Sequence, residues 1–167
     1  MKKICILPII LVVFLHAPST AQSAMDGWIS GVFGGIERGS GVIGAQIGYF
    51  FPHVGIQLDV AHAFDVVDPG TLRATTVMGY AVLPLALNTT QTNYFYLAGG
   101  VGIVNLVGGP VSTAAFAYGG GGGFAMFLNP SLALLIDLRF IGFEKPSSLN
   151  VNSSVLGRAV VGLAYRF

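Results

Sequence analysis

The sequence predicts an all-β protein: an eight-stranded antiparallel up-and-down transmembrane β-barrel preceded by a cleaved signal peptide. Three observations carry that expectation. Hydrophobic residues make up 53% of the 167 residues and charged residues only 9%, against about 25% charged in ordinary soluble domains, too few to cover a soluble core. Not one Asp, Glu, Lys or Arg occurs from Ala74 to Ile136. Apolar residues recur at every second position in several segments bounded by turn residues, the period of a strand with two unlike faces.

A bilayer admits only helices and closed barrels, because every backbone amide must be paired without water. Helical spans need ~20 consecutive apolar residues. The best helical stretch, Phe95 to Val107, is interrupted by Gly99, Gly100, Gly102 and Asn105. A soluble β-sandwich also alternates, but it turns Lys, Glu and Asp to water. Here the second face is mostly Gly, Ala, Ser, Thr, Gln and Tyr, with isolated charges of both signs.

The first element is a targeting signal over residues 1–21. Lys2 and Lys3 form a positive start, Ile4 to Leu15 an apolar run, and Ser19-Thr20-Ala21 small residues before a cleavage point. The barrel then occupies 22–167. Cys5 falls inside the signal, so the mature chain is expected to hold no disulfide, thiol nucleophile or cysteine ligand. Without Lys2 and Lys3, six basic side chains face seven acidic ones. That balance offers nothing to nucleic acid.

Eight strands follow: Gly27 to Glu37, Gly41 to Phe51, Val54 to Ala63, Thr71 to Val82, Asn93 to Val104, Thr113 to Phe127, Leu132 to Phe143 and Val155 to Phe167. Most have the ~9–11 residues of a tilted membrane strand, and bacterial barrels take an even number. In the third, Val54, Ile56, Leu58 and Val60 alternate with Gly55, Gln57, Asp59 and Ala61. In the seventh, Leu132 to Phe140 at even positions oppose Asp137 and Arg139. In the last, Val155, Val161, Leu163, Tyr165 and Phe167 oppose Arg158 and Arg166. In the fourth, Leu72, Ala74, Met78, Tyr80 and Val82 oppose Arg73, Thr75 and Gly79, which predicts the first set toward lipid and Arg73 toward the lumen. Turn residues fill the breaks, among them Arg38-Gly39, Pro52-His53, Asp68-Pro69-Gly70, Gly108-Gly109-Pro110 and Asn129-Pro130. Trp28, Tyr49, Phe50, Phe51, Tyr80, Tyr165 and Phe167 near strand ends predict an aromatic girdle.

The run Gly119 to Gly123 lies in the sixth strand. If Phe116, Tyr118, Phe124 and Met126 face lipid, then Gly119, Gly121 and Gly123 face the lumen. A three-residue turn, Leu128 to Pro130, would pair Gly121 with Asp137 and Gly119 with Arg139. The glycines would leave room for long charged side chains.

The final residues, Val160-Val161-Gly162-Leu163-Ala164-Tyr165-Arg166-Phe167, resemble the terminal signal of bacterial outer-membrane barrels, with Gly162, Tyr165 and Phe167 at its marked positions. The family prefers a polar residue where Val160 stands. The hairpin Tyr118 to Phe140 also looks like the penultimate hairpin of small OmpA-type barrels. That resemblance implies the outer membrane of a Gram-negative bacterium, outer-membrane lipids around a monomer, and recognition of the last strand by the barrel assembly machinery. It also implies termini toward the periplasm, with Glu37 to Ser40, Phe64 to Gly70, Leu106 to Ser112 and Glu144 to Ser154 outside. Porin-like and surface-antigen roles both occur in such barrels.

No cofactor, metal cluster or catalytic group is expected. His53 sits in a turn and His62 near a strand end, and neither has a Ser and an acid spaced for nucleophilic catalysis. His62 with Asp59 or Asp65 is the nearest approach. The lumen charges are Asp59, Arg73, Asp137, Arg139, Arg158 and Arg166. An interior of this size is just wide enough for side chains to fill it, which predicts ion pairs among Asp59, Arg73, Asp137 and Arg139. The expected function is a non-catalytic structural or surface role. The alternatives are a small passive pore, an adhesin or immune-evasion protein, and an enzyme modifying lipid A.

Overall fold

A computed structural model of the chain describes residues 27–64, 72–86, 93–144 and 154–167. The predicted signal peptide and most of the Glu144 to Ser154 loop lie outside them. The strands are β1 (Gly27–Glu37), β2 (Ser40–Phe50), β3 (Gly55–Ala63), β4 (Leu72–Ala86), β5 (Asn93–Gly108), β6 (Val111–Phe127), β7 (Leu132–Phe143) and β8 (Val155–Arg166). They form one closed antiparallel barrel in sequence order, with β8 paired to β1. Closure removes the unpaired edge that an open sheet would expose to lipid.

Paired residues traced once around from Gly27 pass Phe50, Gly55, Val82, Ala98, Gly121, Arg139 and Arg158 and return to β1 at Glu37, ten residues further on. Closing a barrel with such a stagger tilts its strands by about 40°. Both described chain ends lie at one end, where the Phe167 amide donates to the Trp28 carbonyl at 3.0 Å. This is called the terminal end below, and the opposite one the far end.

Two pairs of adjacent strands, β1–β2 and β5–β6, are joined by two-residue turns at the far end. Arg38 (φ 50°) and Gly39 (φ 84°) both take positive φ, the type I′ pattern whose twist matches a hairpin. Gly109 (φ 57°) precedes Pro110, as in a type II′ turn. The expected loop from Leu106 to Ser112 is therefore mostly strand. At the terminal end the Asn129 side-chain carbonyl accepts from the amides of Ser131 and Leu132 at 2.9 Å each, fixing the β6–β7 turn.

Strand alternation sorts the side chains. Val32, Ile36, Ile43, Ile56, Leu58, Val101, Phe116, Tyr118, Phe140 and Leu163 point outward and are exposed, while Phe33, Phe50, Met78, Tyr94, Leu106 and Ile141 are buried within. An outside more apolar than the charged interior is the arrangement of a barrel whose solvent is lipid. Trp28, Tyr49, Phe51, Tyr165 and Phe167 form edge-to-face pairs on the outside of the terminal end, with ring centroids 4.9–5.3 Å apart. Phe50 and Tyr80, expected in this girdle, are buried inside instead.

The largest correction concerns β4, whose two faces exchange places. Ala74, Thr76, Met78, Tyr80 and Val82 face inward, and Arg73 is exposed on the outside. Both faces of β4 mix apolar and small residues, so its own periodicity is weak. The phase is imposed by β3: Asp59 pairs with Met78 and Gln57 with Tyr80, and paired residues share a face. A one-residue slip would send the whole set the other way. Met78 and Tyr80 then fill space that β5 leaves open. An added Cβ at Gly102 would meet Met78 Sδ at 2.8 Å, and one at Gly100 would meet Tyr80 Cδ1 at 2.7 Å.

Candidate functional site

The interior is layered. Its far end holds Val42, Ala74, Val104, Leu106, Ile141 and Leu156, all fully buried. Its terminal end holds Ile29, Phe50, Val82, Ala125 and Leu135, with Gln46, Gln57 and Arg166 among them, around a narrow cavity of about 20 Å³, room for about one water. Between these ends lies a charged layer, which among the described residues gathers most of the buried charge.

Arg158 on β8 is the centre of one half. Its Nε donates to Glu37 Oε2 at 2.5 Å, Nη1 to Asp59 Oδ1 at 3.1 Å and Nη2 to Thr76 Oγ1 at 2.6 Å. Those partners come from β1, β3 and β4. Arg139 on β7 is the centre of the other half. It forms a two-pronged pair with Asp137, two residues away on its own strand, at 2.6 and 2.7 Å. Tyr96 donates to the same carboxylate at 2.6 Å, and the guanidinium lies 4.2 Å from the centre of the Tyr80 ring. Such stacking over an aromatic face is favourable where water is excluded. Below this layer Gln57 Nε2 donates to Gln46 Oε1 at 2.9 Å.

Isolated buried charges would be prohibitive, and only near-complete pairing makes them tolerable. The inward charges of the eight strands balance, Glu37, Asp59 and Asp137 against Arg139, Arg158 and Arg166, while Arg38 in the far-end turn also buries its Nη1. Satisfaction is incomplete, since Glu37 Oε1, Tyr80 Oη and Arg139 Nη1 have no protein partner.

Asp59, Asp137, Arg139 and Arg158 thus share the middle layer. Arg166 lies at the terminal end, 5.7 Å from the Phe127 ring centre. Arg73, expected among them, is on the other side of the wall. The expected pairing of Asp59, Arg73, Asp137 and Arg139 is replaced by Asp137–Arg139 and by Arg158 with Glu37 and Asp59. Glu37, Thr76, Tyr80 and Tyr96 were not anticipated. For Glu37 a signal existed: Val32 and Ile36 outward imply Glu37 inward, but its neighbour Arg38-Gly39 reads as a turn.

Gly119, Gly121 and Gly123 face inward as expected, shifted by two residues in register: Gly121 pairs with Arg139 and Gly123 with Asp137. The turn is centred one residue later than expected, closed by the Leu128 amide donating to the Leu132 carbonyl at 2.8 Å. Gly123 admits the Tyr96 ring, since an added Cβ would lie 2.5 Å from Tyr96 Cζ. The hydroxyl can then reach Asp137.

His62 faces outward and Asp59 inward on the same strand, which separates the two. His62 Nδ1 instead shares a hydrogen bond of 2.9 Å with Thr75 Oγ1. Among the described residues no three His, Cys, Asp or Glu side chains are placed to hold a metal. Gly162 faces inward against Phe33, while Tyr165 and Phe167 are exposed on the lipid side.

The sequence matches no protein-family model and no curated protein. The fold is similar to several solved structures. Neisserial surface protein A superposes with a TM-score of 0.65 at 14% identity, over 84% of this chain and 96% of that one. The N-terminal β-barrel domain of Pseudomonas aeruginosa OprF gives 0.59 at 15% identity, over 85% and 98%. A de novo designed transmembrane β-barrel gives 0.51 at 14% identity, over 84% and 94%. A designed barrel matching alongside natural ones means that architecture, not shared activity, is what aligns. The chain has the fold of the small eight-stranded outer-membrane β-barrels.

Proposed function

We propose that this protein is an integral outer-membrane barrel with a structural or surface role, non-catalytic and non-conducting. The observation that carries the reading is the contrast between wall and interior: lipid-compatible side chains cover the outside, while paired charges and apolar plugs fill the inside. A solvated pore needs a continuous polar path, and the apolar packing of Val42, Val104, Leu106, Ile141 and Leu156 at the far end opposes one. An enzyme needs reactive groups at an accessible surface, and the buried acids here are occupied by arginines. The barrel stands in lipid as a monomer whose terminal strand, through Gly162, Tyr165 and Phe167, addresses the assembly machinery.

The test is heat-modifiable gel mobility of protein extracted from the outer-membrane fraction. A folded barrel migrates differently unheated and heated. Identical migration, or recovery from the soluble fraction alone, would contradict the reading. Removing Phe167 should reduce the heat-modifiable protein that reaches the membrane while leaving refolding into detergent intact, and a loss in both would assign Phe167 to stability instead.

A further inference from the structure

One sector of the outer wall is polar where the rest is apolar. His62 on β3 pairs with Thr75 on β4, and Thr75 with Asn105 on β5. Ser112 on β6 donates to Asn105 Oδ1 at 3.2 Å. Arg73, two residues beyond Thr75 on the same face, is exposed. Four strands therefore bring a guanidinium, an imidazole, an amide and two hydroxyls to one outward patch.

Its height is set by the barrel's stagger. With ~3.3 Å per residue and about 40° of tilt, Thr75 stands roughly 20–25 Å above the Trp28–Tyr49 girdle. The apolar band of such barrels is about 25 Å tall, so the patch meets lipid headgroups at the far end. This is not simply where all strands leave the membrane. At similar height the outer wall presents Ile36, Ile43, Phe116, Tyr118 and Phe140, all exposed. Among the described residues these neutral and basic side chains cluster on the arc from β3 to β6.

The patch is also organised. His62 is held between its bond to Thr75 at 2.9 Å and an edge-to-face contact with Phe64 at 4.8 Å, leaving Nε2 as the nitrogen for an outside group. Asn105 is oriented by Ser112. Among the described residues Glu144 is the one outward carboxylate at this end; its amide bonds to the Phe116 carbonyl at 3.2 Å, on the far side of β6 from Asn105.

We propose that the Arg73–His62–Thr75–Asn105 patch binds the phosphorylated sugar headgroup of a lipid in the adjoining leaflet. Arg73 and His62 face the phosphate, and Thr75, Asn105 and Ser112 face sugar hydroxyls. Guanidinium suits phosphate geometry, and short hydroxyl and amide side chains suit sugar oxygens by their donor and acceptor inventory. This rests on the reading of the chain as an outer-membrane barrel with its far end at the saccharolipid leaflet.

The experiment is native mass spectrometry of the full-length mature protein, folded in detergent with equimolar diphosphorylated lipid A and phosphatidylglycerol. Wild type is expected to retain one lipid A in preference to phosphatidylglycerol. His62→Ala with Arg73→Ser should lower that retention about tenfold, the loss of one charge-assisted contact. Ile43→Ala, at a similar height on the apolar arc, should leave it unchanged. Equal retention of the two lipids, or unchanged lipid A retention in the double variant, overturns the proposal. If the double variant fails to fold, Thr75→Val is read in its place, with the same lowered retention expected. Heat-modifiable mobility of each sample separates failure of the lipid site from failure of the barrel reading.

Discussion

Arg139 and Arg158 stand directly opposite each other on β7 and β8, yet the protein uses them in opposite ways. Like charges facing across a sheet repel. Each is given its own acids. Arg139 finds its carboxylate two residues away on its own strand and stacks on Tyr80. Arg158 bonds Glu37, its direct partner on the adjoining strand β1, and reaches across the lumen to Asp59 and Thr76 on β3 and β4. The first pair stiffens a strand locally. The second ties the last strand to the first, third and fourth, across the seam where the barrel closes. Identical side chains thus serve unequal structural roles, decided by how far along the chain the counter-charge lies.

Removing Arg158 should produce the largest effect. Arg158→Leu leaves Glu37 and Asp59 buried without their cation, and breaking a buried pair from one side costs about 3–5 kcal/mol. Urea unfolding in detergent micelles should show this as a large fall in midpoint, and a change equal to that of the Arg139 variant would erase the contrast. Adding Glu37→Gln and Asp59→Asn should recover part of the loss, because the uncompensated charges disappear. Arg139→Met should cost less, on the order of 2–3 kcal/mol, since Tyr96 still donates to Asp137. Gly123→Ala should cost about 1–3 kcal/mol by overpacking against Tyr96. Tyr96→Phe, which removes a donor and no volume, should cost about 1 kcal/mol. The smallest effect belongs to Tyr80→Phe. Its hydroxyl has no protein partner, so the unfolding midpoint should stay or rise slightly, and a clear fall would mean that the hydroxyl is satisfied by water.

What could be read from the sequence followed the strength of the local pattern. Strands β1 and β7 have the expected bounds, because Val32 and Ile36, or Leu134, Ile136 and Leu138, alternate against residues of clearly different character. Asp137, Arg139 and Arg158 were legible as inward for the same reason. Strand β4 was not, since Met78 and Tyr80 are apolar yet belong inside, and only pairing with Gln57 and Asp59 fixes their face. Which acid serves which arginine was equally hidden. Arg158 lies 99 residues from Asp59 and 121 from Glu37 in sequence, and their meeting depends on the ten-residue stagger of the closed barrel. The glycine run in β6 was legible as an inward floor but not in register, because the position of the turn, closed between Leu128 and Leu132, sets the pairing and glycine carries no face preference of its own.

The interior was expected to be filled by small and polar side chains with ion pairs among them, and it is mostly an apolar core around a thin ionic layer. That difference bears on function more than any single residue does. It is tested most directly by current across planar lipid bilayers containing barrels whose folded state has been verified by heat-modifiable mobility. The packed interior predicts no conductance steps above the lipid baseline. Reproducible single-channel steps from the folded wild-type protein would contradict it.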